Sequence, residues 1–93
     1  MAYNPNHKRF PIGQLMATPN ALAHIAHQDL LKGLAKHLMC DWGEVCPVDW
    51  LSNDLALEEG TRLLSVYWSG ETKFWIITEA DRSQTTILLP SDY

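Results

Sequence analysis

The sequence has 93 residues, a formal charge of −4 and an apolar share of 46%. That length accommodates one domain and excludes a second, and the acidic balance argues against a dedicated nucleic-acid binder, which carries a basic face. No apolar run reaches the ~20 residues a membrane span requires, and the polar start lacks the hydrophobic stretch of a secretory signal. The expected compartment is therefore the cytoplasm, with Cys40 and Cys46 reduced.

Residues 1–9 are polar, carry Asn and Pro, and read as a flexible N-terminal arm ahead of a single domain over 10–93. Pro11 disfavours helix at Phe10, and 14–17 reads as a short extra strand. Thr18-Pro19 is a helix start, because Thr can cap and Pro suits a position whose N–H has no partner. His27-Gln28-Asp29 breaks that helix and opens another. Leu30, Leu31, Leu34 and Leu38 then recur at helical spacing, so 29–39 is the strongest helix. Asp41-Trp42-Gly43 ends it, with Gly43 supplying a positive φ. Pro47 opens a third helix to about Glu59, with Trp50, Leu51, Leu55 and Leu57 as its apolar side. Gly60 is its natural C-terminal stop, although Glu58 and Glu59 oppose the helix dipole there.

From Arg62 the period changes to two. Strands are predicted over 62–68, 73–80 and 85–89, with a turn at Ser69-Gly70-Glu71, a polar turn over 81–84, and Pro90 as the stop. Such short connections require antiparallel neighbours. The expected fold class is α+β: two or three N-terminal helices packed on one face of a C-terminal three-stranded antiparallel β-meander.

Chemistry is less legible. Arranging Gly70-Glu71 as a two-residue turn sets Arg62 opposite Glu79, on the face of Leu64, Val66, Trp75 and Ile77, with Ser65, Tyr67 and Thr78 on the other. Arg62, Glu79, Arg82, Thr85 and Thr86 then gather at one end of the sheet. A carboxylate, a histidine and an arginine can cleave RNA, as base, acid and phosphate clamp. The bland alternative is a cross-strand ion pair and a turn stitched by Asp81 and Ser83. His37 lies in the last turn of its helix, where the dipole favours the charged form. A Cys40–His37–Asp41 nucleophilic site would need thiol and imidazole in contact. His24, His27 and His37, with Asp29, Asp41 or the cysteines, lack HExxH or short Cys spacing, so no metal and no cofactor are expected. The four tryptophans, at 42, 50, 68 and 75, supply both core and interface area.

The runs 62–67, 75–83 and 85–90, with Tyr93, Phe10-Pro11, Ala17-Thr18-Pro19, His37 and Asp41-Trp42-Gly43, resemble a family of small uncharacterised bacterial proteins. Members are sometimes labelled type I restriction–modification subunit M. Methyl transfer of that kind needs a large doubly wound domain and an Asn/Asp-Pro-Pro-aromatic loop, and neither is present here. Cys40 and Cys46 depart from the family's pattern, whereas His37, Asp41, Glu79 and Arg82 fit it. The resemblance implies no particular activity.

Together these features point to a non-enzymatic accessory or interaction protein, with a mobile genetic element as candidate source, acting on a protein partner or by self-association as a homodimer. The alternatives are a toxin-like ribonuclease of RelE/barnase type using His37, Glu79 and Arg82, and a regulator that binds nucleic acid through Lys8, Arg9, Lys32 and Lys36. The candidate catalytic residues are His37, Asp41, Glu79 and Arg82. The candidate binding residues are Arg62, Tyr67, Arg82, Thr85 and Thr86.

Overall fold

The structure is a computed structural model in which residues 10–93 are described; the arm expected over 1–9 lies outside them. Its elements are β1 (Gln14–Ala17), α1 (Pro19–His24), α2 (His27–Leu38), α3 (Pro47–Glu59), β2 (Leu63–Ser69), β3 (Thr72–Thr78) and β4 (Gln84–Leu88), followed by a 3-10 turn over Pro90–Asp92. No helix among the described residues is long and apolar enough to cross a membrane.

The α+β class holds and β2, β3 and β4 form the expected antiparallel meander, but the sheet as a whole is not purely three-stranded and antiparallel, because the short strand β1 joins it. The sheet has four strands in the order β1-β4-β3-β2 and is mixed, because β1 lies parallel to β4. Two backbone bonds anchor β1 at its ends, Gln14 N–H to the Ser83 carbonyl and Thr18 N–H to the Ile87 carbonyl. Period-two alternation identifies a strand but not its neighbour, so this long-range pairing has no local signature. The hairpin register is the one the two-residue turn demands: Leu63 faces Thr78, Val66 faces Trp75 and Ser69 faces Thr72.

Local signals explain the helix ends. The Thr18 side chain accepts from the Ala21 N–H, with Pro19 first in α1. Past α2, Cys40 takes φ 63°, its N–H reaching the His37 carbonyl and the Asp41 N–H the Lys36 carbonyl. That pair of bonds is a Schellman stop, with Cys where glycine is usual. Gly43 takes φ 75°, and a Cβ there would lie 2.0 Å from the Val66 carbonyl oxygen. This contact belongs to a short parallel bridge in which 42–44 covers part of the free edge of β2.

Helices cover one face of the sheet. Ala21, Ile25, Leu30 and Leu34 pack with Tyr67, Phe74, Ile76 and Ile87. Phe10, Trp42 and Ala56 pack with Leu63. The apolar sides drawn from periodicity need two corrections. In α2 the fully buried positions are Gly33 and His37, while Leu31 faces solvent. In α3 they are Asn53 and Ala56, with Trp50 and Leu57 partly buried, while Leu51 and Leu55 point outward. The cause is close approach: small Ala56 lets α3 come near β2, and the Asn53 amide makes two bonds to the backbone of Leu64.

Candidate functional site

Four buried polar residues, His37, Ser65, Thr78 and Thr85, form one chain across the inner face. His37, on α2, has no exposed surface and lies edge-to-face between Phe10 and Trp42, at 5.3 and 5.6 Å. Its Nδ1 is 2.6 Å from Ser65 Oγ on β2 and its Nε2 is 2.9 Å from Thr78 Oγ1 on β3. Thr78 Oγ1 is 2.7 Å from Thr85 Oγ1 on β4, which donates to the Ile12 carbonyl at 2.8 Å. The direction of the chain follows from proton count. A hydroxyl has one proton, and Thr85 spends its own on Ile12, so Thr78 donates to Thr85. Thr78 must then accept from His37 Nε2–H. In the neutral ring that burial favours, Nδ1 carries no proton and accepts from Ser65.

The expectation that the helix dipole favours charged His37 is overturned. Burial, reinforced by the nearby Arg82 charge, lowers its pKa from 6.5 to about 4. Desolvation of a sealed imidazole outweighs a dipole effect of ~1 kcal/mol.

Arg82 sits in the β3–β4 turn at φ 61°. Its guanidinium donates to the carbonyls of Thr61 (2.6 Å), Glu79 (3.1 Å) and, at the C-terminal end of α3, Ala56 (3.0 Å). It also lies 6.0 Å from the centre of the Phe10 ring. A cation at this negative helix pole offsets the unfavourable Glu58 and Glu59. The turn itself is stitched as expected, by Ser83 N–H on Asp81 Oδ1 at 2.9 Å.

The predicted residues therefore separate. His37 and Arg82 flank Phe10, but His37 is sealed from solvent and Arg82 is spent on carbonyls. Glu79 is half-buried, and its backbone receives Arg82. Asp41 is exposed: its carboxylate accepts from Gly43 N–H, and its carbonyl accepts from the Tyr67 hydroxyl at 2.5 Å. Tyr67 is buried beneath α2, which raises its pKa. Thr85 belongs to the interior chain. Arg62 and Thr86 lie on the opposite face, where the Arg62 guanidinium is 5.6 Å from the Tyr93 ring centre. Cys40 is buried, Cys46 is exposed, and no disulfide joins them. Among the described residues no three His, Cys, Asp or Glu side chains gather as a metal site.

Sequence reasoning missed Ser65 and Thr78 as the partners of His37. Their signal was present: two hydroxyls set among Leu63, Tyr67, Phe74 and Ile76 on one strand face, away from Ser69 and Thr72 at its turn end.

One cleft of about 250 Å³ opens between α2 and β2, lined by Asp29, Lys32, Lys36, Glu44, Tyr67 and Trp68 among others. It is smaller than the ~300–1,000 Å³ usual for small-molecule sites, and its charges are of both signs.

The more distinctive surfaces are apolar. On α3, Val48, Leu51 and Leu55 are 72%, 59% and 49% exposed. Their i, i+3, i+7 spacing makes one outward stripe, opposite the buried Asn53 and Ala56. The outer face of the sheet is also apolar, but the chain's own C-terminal turn covers part of it: the Tyr93 ring lies 5.6 Å from that of Trp75, and Ile77 and Leu88 are buried. Alternation places Leu64, Val66 and Trp68 of β2, Lys73, Trp75 and Ile77 of β3, Thr86 and Leu88 of β4, and Met16 of β1 on it. The helical residues of both core clusters pack on the other side.

Comparison with protein-family models, with curated proteins and with solved structures found no significant match to this chain.

Proposed function

We propose that the protein is a small non-enzymatic interaction protein of the cytoplasm that works by docking α3 on a protein partner. The outward stripe of Val48, Leu51 and Leu55 carries this reading. A surface helix normally turns one apolar stripe inward and polar residues outward. α3 has apolar residues on both sides, and its exposed side carries the anchor spacing with which helices fill grooves. The helix holds Asp49, Asp54, Glu58 and Glu59 and no basic residue, so the groove that fits it has an apolar floor and a basic rim. The sealing of His37 and the engagement of Arg82 by carbonyls support a structural assignment for those two residues.

The test places a photo-reactive residue at Leu51 in cells of the native host, with Ala23 on α1, also exposed, as control. A discrete protein adduct at position 51, absent at 23 and abolished by Leu55→Glu, is the expected result. Equal labelling from both positions, or none from 51, would overturn the reading.

A further inference from the structure

We infer that the cleft between α2 and β2 seats a short extended peptide segment with one acidic side chain, paired with the free edge of β2 at Trp68. This rests on the cleft and on one open strand position, and not on the α3 reading.

The fold closes the edge of β2 at two of its three outward positions. The β2–β3 register leaves Leu64, Val66 and Trp68 with their N–H and C=O groups directed away from β3. Leu64 gives both to the Asn53 side chain. Val66 N–H donates to the Trp42 carbonyl at 3.1 Å, and the Val66 carbonyl accepts from Glu44 N–H at 2.8 Å. After Glu44 the chain leaves for α3, and among the described residues nothing meets the Trp68 pair. An outward N–H and C=O beside a cleft are the groups that an added strand completes.

The charges of the cleft specify what that strand carries. Its two carboxylates already have donors: Asp29 Oδ2 accepts from Ser69 Oγ at 2.7 Å, and Glu44 Oε1 accepts from the Trp68 indole N–H at 3.3 Å. Lys32 and Lys36, one turn apart on α2, line the cleft and have no partner among the described residues. The unmet demand is for an anion. With two carboxylates in the same lining, a singly charged group suits the site better than a phosphate dianion.

Alternation along the added strand fixes its pattern. The residue opposite Trp68 shares the face of that indole, which is 46% exposed, so an apolar side chain suits it. The residues on either side turn toward α2 and its lysines, and one of them is the acidic residue. A cleft of about 250 Å³ takes a few residues and no more. Few bonds and solvent-exposed charges make a Kd on the order of 1 mM the expected strength.

The probe is the peptide acetyl-Ser-Val-Glu-Ser-amide, titrated to ~10 mM, about ten times that Kd, into the isotope-labelled full chain and followed by NMR. The expected result is a saturable shift and slowed exchange of the Trp68 backbone amide. Glutamine in place of the peptide's glutamate, methylation of its valine and glutamate nitrogens, or Lys32→Gln with Lys36→Gln in the protein should each weaken binding at least about fivefold. Leu51→Glu, which disables the α3 stripe, should leave it unchanged. A Trp68 amide unmoved at ~10 mM peptide would overturn the proposal, as would equal binding of the glutamine peptide or of glutarate, a dicarboxylate with no peptide backbone. So would shifts confined to α3, a result that would leave the docking role of that helix standing.

Discussion

His37 shows how far a single side chain's environment can reverse its sequence-based expectation. At a helix C-terminus it should welcome a proton; inside the domain, between two aromatic rings and two hydroxyls, it refuses one. The consequence for stability has a definite sign. Its folded pKa, about 4, lies below the ordinary 6.5. As pH falls through that window, the unfolded chain takes up a proton that the folded chain does not. His37 thus contributes stability above pH 6.5 that is lost toward pH 4, at up to about 1.4 kcal/mol per pH unit. Urea midpoints at pH 7 and pH 5 should differ accordingly, and His37→Gln should flatten that difference. Nitrogen NMR should report the Nε2–H tautomer, unchanged down to pH 5. A His37 imidazole titrating near 6.5 would contradict the burial argument.

At the scale of elements, α2 meets the sheet through the absence of a side chain. A Cβ on Gly33 would lie 2.9 Å from Phe74 Cζ and 3.2 Å from Tyr67 Cδ2, and both rings are buried. Alanine at a helix interior ordinarily gains about 1 kcal/mol over glycine. Here overpacking of ~1–3 kcal/mol opposes that gain. Gly33→Ala should therefore destabilise the fold by about 1 kcal/mol, measured as a lower denaturation midpoint. A midpoint that rises would show that α2 can lift off the sheet at no cost. The same close approach explains why the leucine pattern of α3 misled: Asn53 and Ala56 suit short contact with β2, and longer side chains are turned out.

The whole molecule is tied together at Arg82, which joins the end of α3, the loop before β2 and the β3–β4 turn. Arg82→Ala removes charged hydrogen bonds worth about 1.5–3 kcal/mol each in favourable cases and should cost about 2–3 kcal/mol in all. Arg82→Gly loses the same guanidinium but relieves a left-handed backbone position, so it should be less damaging by about 1 kcal/mol. Equal losses from the two variants would indicate that the turn carries no strain. Hydrogen exchange should accelerate in both at the last turn of α3 and the 79–84 turn together, because one side chain holds both.

Several features were settled by the sequence alone, because each depends on neighbours along the chain. The Thr18-Pro19 helix start, the Gly60 stop, the Gly70-Glu71 turn and the β2–β3 register that follows from it are of this kind, whereas α2 stops at Cys40 and not at Gly43. The α+β class follows from the switch in hydrophobic period. Only the tertiary structure decided which sides of those elements face inward. Periodicity marks an apolar side without giving its direction when both sides of a helix are apolar, as in α3. It also cannot pair β1 with β4 across more than sixty residues, or bring Ser65 and Thr78 to His37. Those outcomes depend on which surfaces approach most closely, and small residues such as Gly33 and Ala56 control that approach by what they lack.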